Sequence, residues 1–244
     1  MNASVQFAVA ADCIFDGETL HRHAAVVVYG ERIAQIVPRA EAGTPCTALP
    51  DGAWLAPGFV DLQVNGGGDV LFNDAPTVES IAAIAAAHRR FGTTGFLPTL
   101  ITDRPEKTTA AIAAVRKAMR REPAVLGLHL EGPFLSHDRP GVHDPALIRA
   151  PTPADLDVLT APRQGALVVT LAPEQVPAGS SRAWRRRTFA SASVIRWRPM
   201  RRRVPHLPQG SAALPICSTR CGRSRAARAA RSRLRWKRPP AGTA

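Results

Sequence analysis

The residues best placed to do chemistry stand at the ends of short apolar runs. In Leu126-Gly-Leu-His-Leu-Glu131-Gly-Pro-Phe134 a strand-like run ends on a carboxylate, and Gly-Pro stops it at once. A parallel barrel delivers acidic side chains to the mouth of its strands in this way. A carboxylate there suits a divalent metal such as Zn, Mn, Fe or Mg, although a strand-end carboxylate can also simply be solvated. Three similar arrangements accompany it: Ala56–Gly68, which contains Gln63-Val-Asn65, then Gly95–Leu100, then Ala166–Glu174. They read as four strand ends facing one site.

Other candidates are weaker. His143, within Gly141-Val142-His143-Asp144, is a loop histidine that either meets a ligand or is solvated. Strand alternation sets His129 on the face opposite Glu131's immediate neighbours, so it reads as packing or as indirect support of the site. Gly66–Gly68 lacks the strand–GxxxxGK–helix setting of a phosphate loop and reads as a turn allowing close approach to the site. Cys13, Cys46, Cys217 and Cys221 form neither a disulfide framework nor a convincing zinc spacing.

The elements that must position these residues follow from pattern. Phe7–Phe15 and Ala24–Val37, with a turn signal at Tyr29-Gly30-Glu31, predict short antiparallel strands, and Glu41–Gly52 predicts a loop. From Trp54 strands and helices alternate, as in a parallel α/β sheet. Strands are expected at Gly58–Val64, Gly95–Leu100, Val125–Leu130 and Leu167–Leu171. Helices are expected at Thr77–Phe91, from Asp103 or Arg104 to Met119, and at Pro153–Leu159. Thr77 is the expected N-cap of the first helix, with Glu79 favourably placed in its first turn. The Glu131–Arg149 loop is too long for a plain connection and should be functional.

The motifs PGFVDLQVNGGG, LPTLIT, GLHLEGPF, GVHDP and VTLAPE, in this order and spacing, resemble the N-acetylglucosamine-6-phosphate deacetylases of the amidohydrolase superfamily over roughly residues 5–179. The resemblance implies the N-terminal half of a (β/α)8 TIM-like barrel at 54–179, preceded by part of a small β-sandwich at 1–53. It implies a cytoplasmic hydrolase of amino-sugar catabolism that converts N-acetylglucosamine 6-phosphate to glucosamine 6-phosphate and acetate. One divalent metal, Zn, Fe or Mn, would lower the pKa of a bound water and polarise the acetamide carbonyl. Glu131 would be a metal ligand, and Val142 and His143 would contact the sugar phosphate. Gln63 and Asn65 would neighbour the metal where most amidohydrolases carry His-x-His, a departure shared with single-metal members. The family's other two metal ligands, both histidines, and its general-base Asp do not occur in this chain. Its metal site is therefore incompletely ligated, and the chain as written should be inactive. A homo-oligomer is implied for the intact enzyme.

The resemblance stops where composition changes. The chain carries a net charge of +13, yet residues 1–179 hold 14 Lys/Arg and 19 Asp/Glu, whereas residues 180–244 hold 18 Lys/Arg and no acid. No apolar run of about 18 residues is present to span a membrane. The basic segment shows no sustained periodicity, and like charges at this density predict a disordered tail. Its codons suggest why. Ser193–Met200 can be encoded so that reading one base earlier gives Leu-Gly-His-Ser-Val-Ala-Thr-Tyr. The same shift of Pro215–Gly222 permits Thr-His-Leu-Phe-Asn-Ala-Met-Arg. These are the family's two metal-histidine motifs in the right order, which points to a frameshift near Ala178–Ser180.

Two other functions fit parts of the sequence. One is a different single-metal amidohydrolase acting on another N-acyl sugar or cyclic amide. The other is a non-catalytic protein binding nucleic acid through 180–244, where Arg clusters without a recognition fold would give only salt-sensitive, sequence-independent contact.

Overall fold

The structure is a computed structural model that describes residues 6–43, 45–161, 164–175 and 192–194. Its N-terminal sheet is built from β1 (Gln6–Phe15), β2 (Leu20–Tyr29) and β3 (Arg32–Pro38), joined by tight turns and paired antiparallel. Two further strands pair with β1 in parallel: β4 (Cys46–Ala48) and β5 (Trp54–Leu55). The Glu41–Gly52 stretch is therefore not wholly a loop. The open edge of β1 takes Cys46–Ala48 as a partner, satisfying backbone groups that polar composition alone leaves unassigned. Small apolar clusters cover both faces of this sheet, one around Ala8, Ala10, Ala25 and Val27, the other around Ala11, Ile14, Ala24 and Val26.

The second sheet carries the site. Its strands are β6 (Phe59–Val64), β9 (Thr93–Ile101), β10 (Gly127–Glu131), β11 (Ala166–Leu171) and β12 (Ala192–Val194), all parallel, in the order β12-β11-β10-β9-β6. The four expected strands are present with ends moved by a residue or two, as is usual where ladders fray. The fifth, β12, was not expected. Ala192-Ser-Val194 pairs with Val169–Leu171, because a parallel edge strand offers unpaired N–H and C=O groups that a short β-compatible segment can satisfy. The rest of the segment expected to be a disordered tail, with Cys217 and Cys221, lies outside the described residues.

The connecting helices form one layer. α1 (Val78–Arg89) starts at Thr77, whose side chain accepts the Ser80 N–H as expected of an N-cap. α2 (Pro105–Ala118) begins with proline in its first turn, where no N–H is missed. α3 (Pro153–Thr160) opens on a capping box between Thr152 and Asp155. The main core fills the space between sheet and helices, with Phe96, Leu100, Leu128, Leu130 and Val169 from the strands meeting Ile81, Ile84, Ala111 and Val115 from the helices. These strand residues alternate with Leu97, Thr99, Ile101, His129, Glu131 and Thr170, so the helix-distal face of the sheet is the face that can hold polar groups. Among the described residues no helix is long and apolar enough to cross a membrane.

After β6 the chain makes a small hairpin, β7 (Gly66–Gly67) with β8 (Val70–Leu71). The glycines allow close approach, but not to the site. A Cβ on Gly67 would lie 2.9 Å from the His88 ring of α1, and one on Gly66 2.3 Å from the Val70 carbonyl oxygen. The hairpin is pressed against α1, and the His88 Nε2 bonds the Gly66 carbonyl at 3.0 Å.

Candidate functional site

Glu131 is the last residue of β10, and its carboxylate is largely shielded from solvent. Gln63, near the end of β6, donates from Nε2 to Glu131 Oε2 at 3.0 Å, and the Asn65 side chain also hydrogen-bonds the carboxylate. The 131–149 loop returns His143 to the same place, with Nε2 4.0 Å from Glu131 Oε1. Burial pushes the Glu131 carboxyl up, an effect the Gln63 and Asn65 hydrogen bonds oppose. The buried His143 imidazole is pushed down by desolvation.

Thr102, just past β9, was not singled out by sequence, yet it joins the parts. Its Oγ1 lies 2.8 Å from His143 Nδ1 and 3.3 Å from the Glu131 carbonyl oxygen, and its N–H donates to the same Nδ1 at 3.4 Å. The only sequence signal for Thr102 is its place at the end of LPTLIT.

The long loop is held by Arg149. Its guanidinium makes a bidentate pair with Asp155 at 2.6 and 2.7 Å and lies 5.5 Å over the Phe134 ring, while the Arg149 backbone N–H donates to the Pro133 carbonyl. Those bonds push the Asp155 carboxyl down to about 2. The loop's two ends, which carry His143 between them, are thus tied together.

Backbone geometry at the strand end is equally demanding. Gly132 has φ +90, and a Cβ there would stand 2.1 Å from Thr102 Oγ1. Gly132→Ala should cost at least about 1–3 kcal/mol from backbone strain alone. It should also push Thr102 away from His143. Urea unfolding reads the first effect; a midpoint equal to that of the unsubstituted chain would refute it.

One layer below, His129 is fully buried between Thr99 and Thr170. Desolvation drives it down to about 4 from an ordinary 6.5. Between those values the unfolded chain binds a proton that the folded chain refuses. Stability should therefore fall as pH drops below 6.5 and level off below 4, losing on the order of 2 kcal/mol by pH 5. The raised Glu131 acts with opposite sign, contributing stability at low pH that is lost as pH rises. Denaturation midpoints at pH 7 and 5, with His129→Gln beside the unsubstituted chain, separate the two; a His129-independent slope would refute the assignment.

Not every candidate joins the cluster. Val142 is 85% exposed, and Glu174 after β11 is exposed. A groove of about 650 Å³ between α1 and α2 is lined by Thr77, Glu79, Lys117, Arg120 and Arg121, and shares no residue with the Glu131 cluster. Among the described residues no three His, Cys, Asp or Glu side chains come together to hold a metal ion. Glu131 alone is a suitable anionic ligand, flanked by neutral amides and a single imidazole. The described residues do not by themselves fit a metal.

The model of the amidohydrolase family matches residues 54–185, more than half the chain. The chain belongs to the amidohydrolase family. Members of this family are generally metal-dependent, which sharpens the contrast with the lone carboxylate among these described side chains. Among curated amidohydrolases, the N-acetylgalactosamine-6-phosphate deacetylase of Shewanella sp. (strain ANA-3) is 43% identical over 136 residues, 55% of this chain and 34% of that protein. The N-acetylglucosamine-6-phosphate deacetylase of Haemophilus influenzae is 37% identical over 157 residues, 64% of this chain and 41% of the relative. The crystal structure of N-acetylglucosamine-6-phosphate deacetylase from Pasteurella multocida superposes with a TM-score of 0.72 at 30% identity, covering 78% of this chain and 50% of that one. The chain thus spans less than half the length of these curated relatives. The superposition identifies the curled parallel sheet as the first part of an amidohydrolase barrel.

Proposed function

We propose that the gene behind this chain encodes a deacetylase of N-acetylated amino-sugar 6-phosphates, with N-acetylglucosamine 6-phosphate as substrate and glucosamine 6-phosphate and acetate as products. The observation that carries this reading is the cluster at the sheet's C-terminal edge, where Gln63, Asn65 and His143 converge on Glu131. The names of the relatives supply the substrate class. In this reading Glu131 would be one ligand of a single divalent metal, Zn, Fe or Mn, completed by residues of the restored frame, and the metal would supply polarisation of the acetamide. Gln63 and Asn65 hold the Glu131 carboxylate in place by donating hydrogen bonds. His143 contacts the sugar phosphate, and Val142 lines the approach. The intact enzyme would work in the cytoplasm as a homo-oligomer.

The remaining histidines and the general base belong, in this proposal, to a reading frame lost near residue 179. Two observations support it. The family match ends at residue 185, close to the change in composition. The unexpected strand β12 also falls on the codons whose shifted reading permits Leu-Gly-His, so the displaced histidine would emerge where a fifth strand ends. Residues 1–53, 54–179 and 180–244 are accordingly taken as partial sandwich, half-barrel and out-of-frame tail.

A second reading concerns the sugar. The 43% identical relative is named for N-acetylgalactosamine 6-phosphate, which differs only in the configuration at one hydroxyl-bearing carbon. The test is acetate release by the frame-restored protein from each sugar phosphate. Hydrolysis of the gluco substrate at the higher kcat/KM supports the first reading, a preference for the galacto substrate supports the second, and hydrolysis of neither refutes both.

A further inference from the structure

The pairing of β6 with β9 is broken beside the site. Its register shifts between Asp61 and Val64, and at Val64 the backbone N–H bonds a side chain, donating to Thr99 Oγ1 at 3.0 Å. Thr99 is fully buried on β9, and its hydroxyl also meets the Leu97 carbonyl at 3.2 Å and His129 Nδ1 at 3.2 Å. On the other side His129 Nε2 lies 2.8 Å from Thr170 Oγ1 on β11. A buried polar chain thus runs across four strands, from β6 through β9 and β10 to β11, where apolar packing would otherwise be expected.

Its β6 end and its central histidine adjoin the site's parts. Val64 stands between Gln63 and Asn65, the amides that hold the Glu131 carboxylate. His129 stands two residues before Glu131, on the same face of β10. We propose that Thr99, His129 and Thr170 form a brace that positions Glu131 and its two amide partners relative to one another, with His129 as the central positioning residue. This deepens the deacetylase reading, since it takes Glu131 as the centre of the site.

The hydrogens can be assigned. Thr99 has one hydroxyl proton, and the Leu97 carbonyl takes it, so the Thr99 oxygen can only accept from Val64 and from His129. His129 therefore carries its proton on Nδ1 and offers a bare Nε2 to the Thr170 hydroxyl. Were the ring reversed, Nε2 would donate to Thr170 and Thr99 would have to surrender its bond to Leu97. A side chain merely filling space carries no such preference.

The test uses the full 244-residue chain, labelled with ¹⁵N, without metal or substrate. Long-range ¹H–¹⁵N spectra of the His129 ring should show Nδ1 protonated and Nε2 bare. A ring with its proton on Nε2, in a folded or an unfolded chain, overturns the proposal. Thr170→Val, which removes the donor to Nε2, should shift the Nε2 resonance while Nδ1, still held by Thr99, keeps the proton; a proton that moves to Nε2, or an unchanged Nε2 signal, counts against the brace. Thr99→Val should speed exchange at the Val64 amide and the Gln63 side-chain amide by about 10-fold or more, with Ala10 and Val26 of the other sheet unchanged. Thr99→Ser keeps the hydroxyl and should restore both rates. Gln63 protection that survives Thr99→Val, or acceleration spread equally over both sheets, would show a purely structural role. Should Thr99→Val fail to fold, the ring tautomer and the Thr170→Val shift decide the matter. No substrate is involved, so an inactive frame-restored enzyme would sink the deacetylase reading and leave this result standing.

Discussion

Purified as written and supplied with Zn, Mn or Fe(II), residues 1–244 should release no acetate above buffer from N-acetylglucosamine 6-phosphate. A gene corrected by one base across the codons for Pro177–Arg182 should yield a protein at least about 10⁴-fold more active, a modest share of the acceleration enzymes reach. The reason is chemical rather than architectural. Glu131, Gln63, Asn65 and His143 are assembled in the folded chain, but one carboxylate, two amides and one imidazole do not hold a metal firmly, and without it the water is not activated for deprotonation. Glu131→Gln in the corrected protein should return activity to the level of the uncorrected one. Turnover by the chain as written would sink this account, because no described group could then be doing the work assigned to the missing ones.

Phe96→Ala should destabilise the chain by about 3–5 kcal/mol, enough to consume much of the stability of an ordinary domain. Phe96 is fully buried at the centre of the main core, between the sheet and α1 and α2. Its N–H and C=O also join the chain entering β10, through Ala124 and Leu126. Removing the ring leaves a cavity that these paired backbones cannot close. The loss should appear as a shifted urea midpoint. A shift below about 1 kcal/mol would mean that the half-barrel has no persistent core for Phe96 to fill.

Much of the frame was legible in the residue pattern. The β-rich start, the strand–helix alternation from Trp54, the Thr77 cap and the carboxylate at the end of Leu126–Glu131 all follow from local physics: pleat, helical period, caps and Gly-Pro stops. Two features were not. β4 and β12 are short segments recruited by open strand edges, and their own sequences carry little signal. The glycines at 66–68 announce a tight approach but not its partner, which proved to be α1 rather than the site.

The site divides in the same way. Glu131, Gln63, Asn65 and His143 could be named because each ends a strand or sits on an unusually long loop, and the motif order binds them to one family. Thr99, Thr102 and Thr170 could not, since a threonine within a strand is as ordinary as a valine until its hydroxyl has a partner. Chain order determined which residues could reach the mouth of the sheet, because strand length and alternation act over a few residues. Only the folded chain decided that Thr102 turns the His143 ring, that Arg149 closes the loop on Asp155, and that His129 is held between two hydroxyls. Those outcomes depend on hydrogen bonds between residues 6 to 41 positions apart in the chain, for which no local pattern selects.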